Sequence, residues 1–475
     1  MQINSFALNM TWHRFLKSPF LPALILIFTS CFSVGQINYS ITGDVRDLAS
    51  KKVYLSGYYG EKIRPADSTT TDGKGNFIFS LKPTVSAGLY RISWGKDKYV
   101  DLVLNKENIV FYTTSENPAD SIQILSSFEN NLYYWYERRE SLGQAKLELI
   151  TPVVDYYPVK DAYYSRSALE FESIQRSQEK VFDSLSQLYP QSYALRILKL
   201  QQTPFLSASL SKDERVEFLK MHFFDKVDFN DTLLLKSNAW SNKAISYLGL
   251  WGSSRFSQKQ LETEFIKAVT IMMDKASVNP DIYKFLLDYL LGGFDKYHMD
   301  DVITYMADHF QDPYSCEDQA KKTALQKKLD TFKKIATGKI APDITIPDLK
   351  GKMIRLSEIP AEYTLVIFWS SECSHCIDMM PKVRDIYDKQ KPKRMEILAI
   401  SIDTNRREWT GFIKDEKLDF LNASDLKGFD GKPADQYNIY ATPTMFLLDR
   451  EKKILAKPIS YRELEQVLKE NNLLN

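Results

Sequence analysis

The stretch Thr364-Leu-Val-Ile-Phe-Trp-Ser-Ser-Glu-Cys373-Ser-His-Cys376-Ile-Asp-Met-Met-Pro381 organises the chain. Leu365 to Trp369 is a continuous apolar run of the length of a buried strand. Three polar residues follow, then Cys-x-x-Cys, then apolar positions at helical spacing. A Cys-x-x-Cys at a strand-to-helix junction is a redox pair more often than a structural one. Its first sulfur stands at a helix N-terminus, where free backbone N–H groups and the positive end of the helix dipole favour thiolate. The second lies one turn on, within reach of a disulfide. One sulfur can attack while the other resolves. A zinc site would need two more ligands at matching spacing, and the chain has no second Cys-x-x-Cys and no His-x-x-x-His. A purely structural disulfide over so short a loop would remove little chain entropy. Neither a metal nor a cofactor is expected.

The 475 residues allow two to four domains, and 44% apolar content supports sizeable cores. A net charge of +1 gives no case for nucleic acid or an anionic surface as partner. At the N-terminus, His13, Arg14 and Lys17 form a basic region, Leu21 to Phe28 an apolar core, and Ser33-Val34-Gly35 a small-x-small end. Residues 1–35 therefore read as a signal peptide cleaved before Gln36, with an apolar segment too short to span a membrane comfortably. The expected location is the periplasm or cell envelope. Cys31 also has some likeness to a lipid-anchor site, but Phe28 stands where such sites prefer Leu. Cleavage leaves Cys316, Cys373 and Cys376, too few for a disulfide scaffold.

Residues 36–118 show short alternating strands between Gly and Asp turns, the pattern of an all-β, sandwich-like module. Asp67, Asp72 and Asp101 read there as turn or surface residues. From 127 to 336 the apolar period becomes helical, giving an all-α domain of seven or eight helices. Ser211-Lys-Asp-Glu is a capping box, and Ser257 and Asn279-Pro280 are helix openers. The aromatic runs Tyr133-Tyr-Trp-Tyr and Tyr156-Tyr157 could line a binding groove, though core packing is the commoner explanation. Residues 338–475 begin with a hairpin around Lys350-Gly351, and from Thr364 the order is β-α-β-α-β-β-α.

This last stretch resembles the thioredoxin-like family, and within it the TlpA/ResA-type thiol–disulfide proteins of the cell envelope. The resemblance is carried by Ala341-Pro-Asp, Phe368-Trp369, Cys373-x-x-Cys376, Pro381, and Ala441-Thr-Pro443-Thr followed by an apolar strand and Asp449. It implies an α/β thioredoxin fold and a redox-active disulfide between Cys373 and Cys376, Cys373 attacking and Cys376 resolving. It also implies a cis Pro443, with Thr442, Pro443 and Trp369 on the substrate side, and Pro381 inside the active-site helix. His375 and Glu372 would tune the thiols in opposite directions, unless both are solvated and neutral in effect. Departures are Ile367, where thioredoxins proper carry a buried Asp, Met379, where several cytochrome-maturation members carry Glu, and Glu372, where an aromatic is usual. No general base is identifiable.

The implied function is an exported thiol–disulfide oxidoreductase exchanging disulfides with disulfide-containing or dithiol protein substrates, drawing on a membrane electron donor. Cytochrome maturation is an assignment by analogy. A thiol peroxidase of peroxiredoxin type is the alternative enzyme, with Ser370 for its Thr but Val366 in place of its Pro. A binding protein with an accessory thioredoxin domain is the alternative outside catalysis.

Overall fold

The computed structural model describes residues 39–82, 84–297, 299–316, 322–389 and 392–474. The expected signal peptide and Cys31 lie outside these residues. The first module contains β1 (Tyr39–Arg46), β2 (Lys52–Tyr59), β3 (Lys62–Thr70), β4 (Asn76–Leu81), β5 (Gly88–Gly95), β6 (Lys98–Leu104), β7 (Ile109–Thr114), the short α1 (Pro118–Ser121) and β8 (Gln123–Ser126). They form two four-stranded sheets, ordered β4-β1-β7-β8 and β3-β2-β5-β6. Alternate residues such as Ile41, Val45, Leu55, Phe79 and Phe111 meet between the sheets. β8 pairs with β7 and carries the module past its expected end at 118, because four residues are too few to display a period. β3 is an exposed edge strand, and Lys62, Arg64 and Pro65 suit it to that place. Asp72 does sit in a turn, accepting from the Lys74 and Asn76 amides. Asp101 differs from expectation. It is half-buried in β6, pairs with Arg91 at 2.8 Å and accepts the Tyr58 hydroxyl at 2.9 Å.

The helical middle comprises α2 (Phe128–Tyr156), α3 (Ala162–Leu188), α4 (Tyr193–Gln201), α5 (Lys212–His222), α6 (Ala239–Gly249), α7 (Gln258–Ala276), α8 (Pro280–Lys296), α9 (Asp300–His309) and α10 (Ala324–Lys334). The count among the described residues exceeds seven or eight because α4 is only nine residues long and α6 buries Lys243 while exposing Ile245, against the polarity expected of its two faces. The capping boxes at Ser211 and Ser257 and the Asn279-Pro280 start are present. The aromatic runs divide: Tyr136 is core, whereas Trp135, Tyr156 and Tyr157 face outwards. The Asn130 side chain accepts from the Val103 amide and donates to its carbonyl, both at 2.8 Å, so α2 is bonded to β6 as another strand would be.

The C-terminal domain starts with the hairpin β9 (Thr345–Pro347) and β10 (Met353–Arg355). Then come β11 (Tyr363–Trp369), α11 (Ser374–Lys389), β12 (Met395–Ser401), α12 (Arg406–Asp415), β13 (Leu421–Ala423), α13 (Lys432–Gln436), β14 (Thr444–Leu448), β15 (Ile454–Ala456) and α14 (Tyr461–Glu470). β13 and α13 fall outside the expected order, being three and five residues long. The sheet runs β13-β12-β11-β14-β15, with β11 central, parallel to β12 and antiparallel to β14.

Side chains of β11 alternate between two cores. Leu365, Ile367 and Trp369 pack with α11, α12 and α14. Val366 and Phe368 join a second cluster that includes the β9–β10 hairpin and α13. That second cluster continues without a break into α10, α9, α8 and α4 and reaches Tyr58 and Leu89 of the β module. The β2–β3 turn touches the helices at Gly60, whose φ is +58° and whose missing Cβ would lie 2.3 Å from the Phe285 ring. Only glycine meets both conditions there.

Candidate active site

β11 is buried along its length and ends at Trp369, in the middle of the sheet. The chain then turns through Ser370, Ser371 and Glu372 before α11 begins at Ser374. Asp403, just past the end of the neighbouring parallel strand β12, holds this turn. Its buried carboxylate accepts from Ser370 Oγ at 2.5 Å, from the Ser371 amide at 3.0 Å and from Ser401 Oγ at 2.8 Å. Ser370 Oγ in turn accepts from the Glu372 amide at 3.1 Å. The turn that presents the first cysteine is thus fixed from below.

Cys373 occupies the N-cap position of α11. The amide of Cys376, three residues on, donates to its Sγ at 3.4 Å, the bond that a serine or aspartate oxygen accepts at an ordinary helix start. The thiol also donates to the Thr442 carbonyl at 3.3 Å. Partial burial acts to raise its pKa. Hydrogen bonds from the Cys376 thiol, Thr442 and the amides of Cys376 and His375 outweigh that effect and hold the Cys373 pKa below its ordinary value. Cys376 is fully buried in an apolar setting with Ile367, Trp369, Met379 and Met380. Burial, helped by the neighbouring Cys373, pushes its pKa up to about 12. The two sulfurs therefore differ sharply: one is accessible and stabilised as thiolate, the other covered and held as thiol.

The Thr442–Pro443 bond is cis, and Thr442 lies directly beside Cys373. Pro381 lies inside α11. Trp369 corrects the expectation of a substrate contact. It is wholly buried under the turn, with its ring 5.3 Å from that of Phe412, so it packs rather than touches ligand. His375 acts on Cys373 through its backbone amide, and it lines a cleft that also includes Thr442 and Pro443. Glu372 is exposed and paired with Glu408 of α12; the hydrogen bond between the carboxyl groups and their mutual repulsion raise its pKa. Cys316 is free and exposed.

Asp403, Glu408 and Tyr440 are site neighbours that the linear reading missed. Asp403 carried a signal, since it follows directly on the largely apolar run Met395–Ile402, and sites in such sheets gather at strand C-termini. Glu408 had none, because only the folded chain brings it near Glu372; Tyr440 stands two residues before Thr442, so its nearness was visible but its part in the site was not. Among the described residues no group of three or more His, Cys, Asp or Glu side chains could hold a metal, and no helix is long and apolar enough to cross a membrane.

The AhpC/TSA family matches residues 337–457, the segment that carries this site, and a domain of unknown function, DUF4369, matches residues 39–133. A thiol-disulfide oxidoreductase ResA from Bacillus cereus is 34% identical over 134 residues, 28% of this chain and 76% of the relative. The chain belongs to the ResA-type thiol-disulfide oxidoreductases. ResA of Bacillus subtilis is 27% identical over 121 residues, 26% of this chain and 66% of the relative. Among solved structures, a thiol-disulfide oxidoreductase from Bacteroides fragilis is 32% identical, covering 28% of this chain and 99% of its own, with a TM-score of 0.27. A thioredoxin-like protein from Bacteroides caccae is 21% identical, covering 57% of this chain and 98% of its own, with a TM-score of 0.40. The chain is thus a thioredoxin-like oxidoreductase domain joined to a β module and a helical domain.

Proposed function

We propose that Cys373 and Cys376 are the redox couple of this oxidoreductase and that it exchanges disulfides with protein substrates outside the cytoplasm. The observation that carries the reading is the asymmetry of the pair, a half-exposed Cys373 with a depressed pKa and a buried Cys376 with a raised one.

In the reducing direction, the Cys373 thiolate attacks one sulfur of a substrate disulfide. A Cys373–substrate disulfide forms, the substrate S–S bond breaks, and the departing thiolate takes up a proton. Cys376 then loses its proton and attacks Cys373 Sγ. The substrate leaves with its second thiol, and the enzyme is left with a Cys373–Cys376 disulfide. Two electrons and two protons have moved to the substrate, and a dithiol donor must reverse the change. Oxidation of a dithiol substrate is the same sequence read backwards. The Thr442–Pro443 loop borders the attack path and would guide the substrate chain. Export rests on the basic and apolar pattern before Gln36.

The test is trapping. With Cys376→Ser, a disulfide-bearing protein such as insulin accumulates as a mixed disulfide on Cys373. With Cys373→Ser, neither trapping nor turnover occurs. Turnover that survives Cys373→Ser would overturn the assignment.

A further inference from the structure

Beside the thiol pair lies a cleft of about 630 Å³ whose walls come from two domains. One wall is thioredoxin-like: the outer face of α11 at His375, the loop through Tyr440 and Thr442, and Ile459 ahead of α14. The other wall is helical: Asp295 near the end of α8, Asp300 at the start of α9, and the end of α10. Two polar contacts hold the walls together. Lys457 Nζ donates to Asp300 at 2.8 Å, and the Tyr440 hydroxyl is hydrogen-bonded to Asp295. Both acidic groups of the helical wall are therefore engaged. The exposed large apolar side chains left open beside the active site are Tyr440 and Ile459, with exposed His375, Asp378 and Lys382 along α11.

The backbone along this cleft is unfinished as well. The β11–β14 ladder stops at Phe368 and Thr444. Ahead of it, the Ala441 and Thr442 amides donate to no backbone carbonyl among the described residues. An extended polypeptide can pair with such amides while its side chains reach both walls, and a compact small-molecule disulfide cannot do both.

We propose that the helical domain is the second wall of the substrate groove. The groove takes an extended polypeptide segment whose cysteine meets Cys373 and whose neighbouring apolar side chain rests on Tyr440 and Ile459. Tyr440 is then a specificity-determining residue. The proposal rests on Cys373 being the attacking thiol.

The test compares two substrates on the full chain, insulin as a protein disulfide and glutathione disulfide as a small one. The readout is the ratio of their kcat/KM values, taken with the reduction potential of the couple. Tyr440→Ala and, independently, Ile459→Asp should each lower the ratio of protein to small disulfide by about tenfold, the scale of one lost apolar contact in a pocket. Tyr440→Phe, which keeps the ring, should restore most of it. A ratio unchanged in both Tyr440→Ala and Ile459→Asp overturns the groove. So does a fall accompanied by an equal change in potential, which would place Tyr440 in control of the thiols rather than of the substrate. Absence of turnover on either disulfide by the unsubstituted chain overturns the assignment of Cys373 itself, and the groove with it.

Discussion

Cys373 takes the place that a hydroxyl or carboxylate oxygen fills at most helix starts, and its reactivity follows from that exchange. The amides that would satisfy an N-cap oxygen stabilise a thiolate instead. Alkylation by iodoacetamide should therefore modify Cys373 with a pH midpoint below that of an ordinary thiol. Cys376, buried and raised to about 12, should stay unmodified up to pH 10 while the fold is intact. Equal modification of both sulfurs at neutral pH would contradict the asymmetry. Glu372 would act against the thiolate as a neighbouring carboxyl group, but it is exposed, and its pKa is raised by its hydrogen bond to and repulsion from Glu408. Glu372→Gln should move the Cys373 midpoint down by less than about one pH unit, because solvent screens an exposed charge. A midpoint that rises would show that Glu372 supports the thiolate. The sulfur pair was legible from four residues of sequence. Much of what sets its chemistry was not, because Asp403 and Glu408 arrive from beyond other strands and helices, whereas Thr442 was expected beside the pair.

Elements with a clear period were legible, and those that are short or break the polarity pattern were not. β11 and α11 follow from an apolar run and a helical spacing. β8, β13 and α13 are too short to show a pattern, α4 is little more than two turns, and α6 buries Lys243 while exposing Ile245. α6 also hides an unusual residue. Lys243 is buried, with Nζ donating to the Gln202 carbonyl at 2.9 Å and lying 3.9 Å from the Phe223 ring centroid. Burial lowers its pKa from 10.5 to about 8. Between those two values the unfolded chain holds a proton that the folded chain has released. Unfolding free energy should therefore rise with pH across that window and stay level below it, where both states hold the proton. Urea unfolding at pH 7.5 and 10 should show this gain in the native chain and a smaller one in Lys243→Met. The same gain in both would mean that Lys243 is not charged at a cost.

Across the whole molecule, one apolar cluster runs from the β module through the helices to Val366 and Phe368 on one face of the thioredoxin-like sheet. The linear reading divided the chain into β, helical and α/β parts, and those parts are present. It could not show that they share a core, since a buried residue carries no mark of what covers it. Melting of the helices should therefore strip one face of the β11 sheet. Calorimetry should show the helical and thioredoxin-like domains unfolding in one transition, and two well separated transitions would contradict the shared core. The central claim is that Cys373 and Cys376 form an asymmetric redox couple whose reduced form is favoured by the stabilised thiolate. The measurement that tests it most directly is the reduction potential of the full chain equilibrated with glutathione. A reversible two-electron couple less negative than about −270 mV, the value for thioredoxin, is expected, because stabilising the thiolate favours the reduced state. A couple at or below that value, or no reversible couple between these two cysteines, would contradict the account.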